Sequence, residues 1–474
     1  MPKTQVVISL LLLLACAARG QSQYDRFFSD GTLRVDYYHT GTKGAETFSL
    51  DAALEEGSWP GSRVNLVDTL NLGEYLVRVY DQSTGQMIFS RGFSSIFNEW
   101  QTTDEAATGV HRTFSESVRF PMPIRSVQVS IARRDRHMVF HELFSTIIDP
   151  ADPIQVRKET RRQRSPVAAL MESGPPSAKV DLVILGDGYA KGEMGKFRKD
   201  AAELNDALFS TDPFKSRKGD FNVWLVAVES PESGIDLPDR GLWRENTLGT
   251  EYNTFGTPRY VLTTANKALR DIASAAPYDF ICILVNDTRY GGGGIYNLYS
   301  TTYTGEPNES WRWQMEYMYV HEFGHSFGGL GDEYYTSATG YNDFYLPGVE
   351  PWEPNITALV EKSRLKWSRF VTPGTIIPTP WGKARFDSVE TIHRKLNRLA
   401  GDYLEKYSPL WKAEREMLED SENAGKVGAF EGAGYASRGL YRPSVDCRMF
   451  SRSLVGFDPV CRAALVRVID FYSR

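Results

Sequence analysis

The sequence has little histidine and cysteine, and beyond its N-terminus it lacks any long apolar run. Seven histidines and four cysteines occur in 474 residues, so two histidines at a fixed spacing are more informative here than in a histidine-rich chain. A membrane-spanning helix needs about 20 apolar residues, and no stretch after the N-terminus provides them. The formal net charge of −6 shows no basic excess, so nucleic acid is not an expected partner.

The N-terminus has a pattern of its own. A lysine precedes an apolar segment at residues 6–15, and small residues follow it, which predicts a signal peptide over residues 1–20 and an exported protein. Leucines and an alanine precede Cys16 as in a bacterial lipobox, which would place a surface or outer-membrane lipoprotein on a lipid at Cys16. The alternative is ordinary cleavage near Ala17 or Gly20, which would release a secreted protein. Membrane attachment is expected only through that lipid.

Two changes of pattern divide the rest of the chain. Residues 21–150 contain short runs of alternating apolar and polar residues between turn residues, which predicts a β-sandwich domain. Residues 151–178 are basic and interrupted by prolines, as expected of a linker. Residues 179–474 alternate strand-like and helix-like segments, which predicts an α/β domain with the catalytic residues.

Several elements of the α/β domain are predicted from periodicity alone. The strands are expected at residues 180–185, 221–228 and 278–285, and the helices at residues 193–208, 259–275 and 387–419. Four glycines at 291–294 follow the third strand. They favour a close backbone approach at a sheet edge, and such an edge is able to pair with an extended peptide.

The motif His321-Glu322-Phe323-Gly324-His325 is the centre of this domain. Residues four apart share one face of a helix, so both imidazoles would point at one site. Glu322 lies about 100° round the helix axis, where it reaches a water without binding the metal. Zinc hydrolases use two histidines as ligands and a glutamate as base. The motif therefore predicts one zinc ion on His321 and His325, with Glu322 as the catalytic base.

A third zinc ligand is expected just after this helix. The metzincin pattern continues to a glycine, present here as Gly328, and then to a third histidine, but Gly331 occupies that position. Asp332 and Glu333 follow directly. Zinc in hydrolases usually has three protein ligands, and a carboxylate serves as one. We therefore expect Asp332 as the third ligand, with Glu333 as the alternative.

Three cysteines remain after the predicted signal peptide. Cys282 lies in an apolar strand and is expected to be a core thiol. Cys447 and Cys461 are suitable for a disulfide in an exported protein, and the sequence leaves open whether they form it.

Further motifs resemble those of the immunoglobulin-A-peptidase family, a metzincin-like group of secreted bacterial zinc metallopeptidases. The resemblance covers residues 180–465 and, more weakly, the β domain. The motifs are Leu185-Gly-Asp-Gly-Tyr189, Ser233-Gly-Ile-Asp236, Val285-Asn286 with Tyr290-Gly-Gly292, the histidine motif with Gly331-Asp-Glu-Tyr334, Glu353-Pro-Asn-Ile-Thr357, Phe430-Glu-Gly-Ala-Gly-Tyr435, and Tyr441-Arg-Pro with Cys447-Arg-Met449.

The resemblance implies an α/β (α+β) metzincin-like zinc peptidase domain preceded by an all-β sandwich domain. It also implies roles for residues far from the histidine motif. Met449 would form a Met-turn, an apolar floor below the zinc. Tyr435 or Tyr441 would stabilise the oxyanion or bind zinc, and the alternative for both is packing in an aromatic core.

These observations predict a secreted zinc endopeptidase that hydrolyses peptide bonds with a metal-activated water. Its partner would be a protein or peptide, with host immunoglobulin A or other secreted glycoproteins as candidates. The alternative is a surface-bound adhesion protein that keeps zinc for structure, although such a protein has no use for the Glu322 carboxylate.

Overall fold

The structure is a computed structural model. It describes residues 23–158, 165–305, 312–335, 344–393, 395–396, 402–452 and 454–474. The predicted signal peptide with Cys16, and residues 159–164 of the basic segment, lie outside the described residues. Among the described helices, none combines the length and the apolar character needed to cross a membrane.

The described N-terminal part includes eight strands and two short helices between them. They are β1 (Phe28–Thr42), β2 (Ala45–Glu55), β3 (Tyr75–Asp81), β4 (Met87–Phe93), α1 (Ile96–Gln101), α2 (Asp104–Ala107), β5 (Arg112–Pro123), β6 (Val127–Arg134), β7 (Phe140–Ile148) and β8 (Val156–Lys158). The strands form two four-stranded sheets, in the orders β5-β1-β2-β8 and β4-β3-β6-β7.

The two sheets bury alternate residues in one shared core. Val35 of β1, Val77 of β3 and Ile131 of β6 are among its members. Side chains in a strand alternate between its two faces, so the observed period of two places one apolar face of each sheet inside. The structure thereby confirms the N-terminal β domain.

A six-stranded sheet forms the centre of the second part. Its elements are β9 (Val167–Met171), β10 (Val180–Asp187), α3 (Met194–Ser210), β11 (Phe221–Val226), β12 (Thr250–Glu251), β13 (Leu262–Thr263), α4 (Asn266–Ala273), β14 (Phe280–Val285), β15 (Gly292–Ile295), β16 (Tyr299–Tyr303) and α5 (Arg312–Gly328). The strand order is β15-β16-β14-β10-β11-β9, and β12 pairs separately with β13. Four central strands are parallel, whereas β9 and β15 run antiparallel at the two edges.

Both faces of the central sheet are covered. Ile184 and Cys282 face a core that includes α3 and α5, whereas Val183 and Ile283 face a core that includes α4 and α1 of the N-terminal part. A parallel sheet with both faces buried needs near-continuous apolar strands, as the sequence of β14 has. The mixed α/β architecture is confirmed, and the more specific metzincin-like fold stays a prediction.

The C-terminal part closes around the end of α5. It contains α6 (Lys383–His393), α7 (Tyr403–Glu419), β17 (Phe430–Ala433), β18 (Ala436–Arg442) and α8 (Pro459–Tyr472). Leu465 of α8 packs into the same core as α5. A β-carbon on Gly328, the last residue of α5, would lie 2.5 Å from Leu465. The end of the histidine-bearing helix is therefore fixed by direct packing on α8.

Three predicted segments differ from the structure. The helix predicted over 259–275 begins only at Asn266, because Leu262 and Thr263 pair with β12 and Thr263 Oγ1 accepts a hydrogen bond from the Ala265 N–H. The segment predicted as a linker contains two strands that belong to different sheets: β8 pairs with β2, and β9 pairs with β11. The single helix predicted over 387–419 is divided between α6 and α7.

The glycine-rich strand β15 lies directly against α5. A β-carbon on Gly294 would collide with the Glu322 carbonyl oxygen and would lie 2.9 Å from His325 Cβ. The edge of the sheet thus reaches the helix backbone, which only a residue without a side chain permits.

We expect Gly294→Ala to separate β15 from α5 and to lower the free energy of unfolding by about 1–3 kcal/mol, as overpacking of a core does. Urea unfolding followed by circular dichroism measures this change. Gly192→Ala is the matched control, because a β-carbon on Gly192 would meet no atom of the described residues within 4 Å. Equal stability of the two variants would show that β15 is free to move away from α5.

Candidate metal centre

One face of α5 packs into the core, and another bears the two histidines. Phe323 and Phe327 stack with ring centroids 5.0 Å apart and pack into the core below the central sheet. His321 and His325 share another face, and their ring centroids lie 4.8 Å apart. Because residues four apart lie on one side of a helix, the packing of the two phenylalanines fixes the direction in which the two imidazoles point.

The chain turns back immediately after α5. Gly329 adopts φ +60°, in the left-handed region that glycine enters without strain. The reversal returns Asp332 to the two histidines. Its Oδ1 lies 3.0 Å from His321 Nε2 and 3.1 Å from His325 Nε2.

The three donor atoms form a nearly equilateral triangle, since the two Nε2 atoms are also 3.1 Å apart. Tetrahedral zinc with bonds of about 2.0–2.1 Å separates its ligand atoms by about 3.3 Å. The triangle is therefore the right size for one ion above its centre. His321, His325 and Asp332 also form one of the groups whose ligand atoms lie within 4.8 Å of one another, so this donor set fits zinc.

Backbone carbonyls select the tautomer of both histidines. His321 Nδ1 lies 3.1 Å from the Arg448 carbonyl oxygen, and His325 Nδ1 lies 2.6 Å from the Leu330 carbonyl oxygen. A carbonyl only accepts hydrogen bonds, so a neutral imidazole carries its proton on Nδ1. The Nε2 lone pairs are then free for a metal, as in zinc sites whose ligands are oriented by outer partners.

The electrostatics agree with a ligand cluster. Burial alone would raise the pKa of Asp332, but the two imidazoles outweigh it and hold that pKa well below the usual range of a carboxyl group. Burial alone would lower the pKa of His325, and Asp332 reverses this and raises it to about 9. A divalent cation bound between Asp332 and the two imidazoles would replace the proton that Asp332 otherwise stabilises on His325.

Glu322 is available for chemistry. It is buried and lines the cavities on both sides of the histidine pair, and no side chain of the described residues hydrogen-bonds to its carboxyl group. Burial raises the pKa of Glu322, while the imidazoles of His321 and His325 act in the opposite direction. A carboxylate with a raised pKa that no neighbouring side chain holds is suited to accept and return a proton.

Tyr435 reaches the centre from a distant segment. Its hydroxyl donates a hydrogen bond to Asp332 Oδ2, and its backbone adopts φ +64°. The Gly434 N–H donates to the Asp332 carbonyl oxygen over 2.9 Å, and the Tyr435 N–H donates to the Tyr334 carbonyl oxygen over 3.0 Å. The loop between β17 and β18 is thus held directly against the ligand segment.

The remaining predicted residues fall into two groups. Met449 packs against α5, where a β-carbon on Gly324 would be 3.0 Å from its Sδ, and its role as a floor below a metal stays a prediction. Glu333 is fully buried on the other side of the chain, with Asn355 and Cys461 as partners. Tyr441 is not among the described residues that line the cavities at the histidines. The structure therefore brings Asp332 and Tyr435 to the centre, but not Glu333 or Tyr441.

Three neighbours of the centre were not predicted. The Tyr317 hydroxyl lies 3.3 Å from His321 Nδ1 and donates to the Arg448 carbonyl oxygen. The Tyr334 hydroxyl accepts a hydrogen bond from Arg259 over 3.0 Å. The helical spacing of Tyr317, four residues before His321, was a usable signal. Arg259 had none, because its partner is 75 residues away.

Cys447 and Cys461 are both buried and free, with their sulfurs 3.8 Å apart. The structure therefore has no disulfide between them. Cys282 is buried in β14, as expected of a core thiol.

Comparison with known families agrees with these two parts of the chain. The family model described as IgA Peptidase M64 matches residues 168–469. The family model described as Peptidase M64 N-terminus matches residues 23–145. No curated protein matches the chain. The two family matches cover nearly the whole sequence, so the chain belongs to the IgA peptidase M64 family and is a peptidase.

Proposed function

We propose that this peptidase is an exported, zinc-dependent endopeptidase. The observation that supports this most directly is the triangle of His321 Nε2, His325 Nε2 and Asp332 Oδ1, with sides of 3.0–3.1 Å and the Glu322 carboxyl group beside it. Zinc, when bound there, would polarise the scissile carbonyl and lower the pKa of a water to about 7.

The protein's own residues divide the remaining work. Glu322 accepts the proton of the attacking water and passes it to the leaving amine. The Tyr435 hydroxyl, which donates its one proton to Asp332 Oδ2, would redirect that hydrogen bond to the developing oxyanion. His321 and His325 keep their Nε2 atoms toward the reaction because the carbonyls of Leu330 and Arg448 hold their Nδ1 protons.

The substrate chain would bind along β15. The Gly292 N–H and carbonyl oxygen bond to Arg259 and Val261, so they point away from β16. Strand geometry turns every second peptide to the same side, which directs the Gly294 N–H and carbonyl outward beside Glu322 and His325. Because the segment around Tyr260 already pairs with Gly292, an extended polypeptide would pair with this edge at Gly294, which would place one peptide bond at the metal.

A large cavity adjoins the same site. It has a volume of about 860 Å³ and extends from His321 and Glu322 to α6 and α7. Phe386, Trp411 and Phe450 contribute apolar walls. We infer that it receives a bulky apolar side chain of the substrate, next to the bond that is cut.

Export follows from the predicted signal peptide, with either release or a lipid at Cys16. Immunoglobulin A is the substrate that the family description names, and we propose it, with other secreted glycoproteins, as the first substrate to assay. A surface adhesion protein with structural zinc is disfavoured, because it would gain nothing from a buried carboxyl group that lines the cleft at residue 322.

Asp332→Ala is expected to lose one zinc ion per chain and to abolish cleavage of casein and immunoglobulin A, because two neutral histidines hold zinc weakly. Metal analysis by mass spectrometry after dialysis, beside a digestion assay, measures both losses. Asp206→Ala, an exposed residue of α3, is the control and should match the wild type. Unchanged zinc content in Asp332→Ala would remove Asp332 from the ligand set.

Glu322→Gln should keep its zinc and lower kcat by about 10²–10⁴-fold, because the amide cannot accept a proton. The matched control is Glu316→Gln, at a half-exposed position of the same helix. Peptide hydrolysis is followed in parallel with metal content. Full activity of Glu322→Gln would contradict the proposed mechanism.

Tyr435→Phe should leave zinc content and KM near the wild-type values and lower kcat by about 10²-fold, the usual effect of removing one oxyanion donor. Tyr441→Phe serves as the control, since Tyr441 lies away from the cavities at the histidines. If Tyr435→Phe instead loses zinc while kcat per bound zinc is preserved, the hydroxyl only positions Asp332.

A further inference from the structure

A second group of metal-binding side chains lies behind the catalytic centre. Glu333, Cys447, Asp458 and Cys461 each offer a ligand atom within 4.8 Å of the others. Their exposed fractions are 0%, 0%, 6% and 0%. Two thiols and two carboxyl groups thus meet in the interior, from three segments of the chain.

Two oxygens of this group lack a partner. Glu333 Oε2 and Asp458 Oδ2 are buried without a hydrogen bond from any described residue. A buried polar atom without a partner is costly, and native interiors contain few of them. Both carboxyl groups already contact the cluster, since Glu333 Oε1 accepts from Cys461 Sγ over 3.2 Å and Asp458 Oδ1 accepts from the Cys461 N–H over 2.9 Å. Something that binds oxygen is therefore expected among these four side chains.

Neighbouring polar groups hold these side chains in position. The Asn355 amide donates to Glu333 Oε1 over 2.9 Å, and the Asp458 N–H points at Cys447 Sγ from 3.4 Å. Asp458 Oδ1 caps α8 by accepting from the N–H groups of Val460 and Cys461. Partners of this kind orient the ligands in known metal sites.

We propose that Glu333, Cys447, Asp458 and Cys461 bind a second, structural metal ion, of the zinc class. Two sulfur and two oxygen donors in a closed group of four are a donor set that suits tetrahedral zinc. Four protein ligands leave no open position for a water, so this site stabilises the fold and does not react.

The consequence lies in the geometry of the catalytic centre. Glu333 follows the ligand Asp332 directly, and its N–H donates to the Met449 carbonyl oxygen over 2.9 Å. Cys447 lies two residues before Met449, and Cys461 belongs to α8. The ion would join the ligand segment, the floor below the catalytic metal and α8 at one point.

Three measurements test the site. The first counts metal ions per chain, and we expect two in the wild type and one in a Cys447→Ser/Cys461→Ser variant. Glu333→Gln is a milder variant, nearly isosteric, that should also lose one ion if the double variant fails to fold. Cys282→Ser is the control, because it removes a buried thiol outside the cluster and should keep both ions.

The second measurement replaces the metals with Co²⁺ and records the near-ultraviolet thiolate-to-cobalt band. The catalytic centre has no sulfur ligand among the described residues, so only the second site produces this band. Asp332→Ala should lose one ion and keep the band, and Cys447→Ser/Cys461→Ser should lose the band. A wild-type protein that shows the band but binds only one ion would refute the proposed zinc peptidase mechanism and leave the second site in place.

Alkylation of the denatured protein followed by peptide mapping separates the remaining explanations. Both Cys447 and Cys461 should be alkylated without reductant once the metal is removed by chelator. A disulfide between them would overturn the proposal, as would two free thiols in a wild-type protein that shows no cobalt band.

Discussion

The candidate metal centre depends on one geometrical requirement, that three donor atoms from two segments meet within about 3 Å. Helix α5 supplies two of them, since its period places His321 and His325 on one face. The third needs a reversal of the chain within a few residues. Gly328, pressed against Leu465, ends the helix, and Gly329 turns the chain. The triangle therefore depends on Gly328, Gly329 and α8 as well as on the three side chains that form it.

The same requirement extends to the orientation of the rings. An imidazole binds metal through a lone pair, so a rotated or wrongly protonated ring would be useless. The carbonyl oxygens of Leu330 and Arg448 prevent this. Arg448 lies 127 residues from His321, immediately before Met449. The segment around Met449 therefore also orients the His321 ring, which couples the C-terminal part of the chain to α5.

The parts of this structure that the sequence predicts are those with a local pattern. His321, Glu322 and His325 follow from helical spacing, and a carboxylate just beyond Gly328, with Asp332 ahead of Glu333, follows from the missing third histidine. Tyr435 was expected only from resemblance to a family, because its contact with Asp332 spans 103 residues.

Strand β9 was missed for a similar reason. Its five residues are largely exposed. Its partner β11 is distant in sequence, so the pairing does not appear in the order of apolar and polar residues within β9. The start of α4 was predicted too early because strand pairing of Leu262 and Thr263 overrides helix propensity.

Asp332 and Glu333 connect the candidate metal centre to the protein core. They are adjacent acids with opposite surroundings, one at the cleft with two imidazoles and the other fully buried beside two thiols. A buried polar residue without hydrogen-bond partners would destabilise the fold. The Glu333 N–H instead bonds to Met449, and its carboxyl group meets the first turn of α8 through Cys461. A displacement of Glu333 would therefore move Asp332, the Met449 segment and α8 together. The rigidity of the triangle formed by Asp332 and the two histidines thus depends on how completely the buried cluster satisfies its own polar atoms.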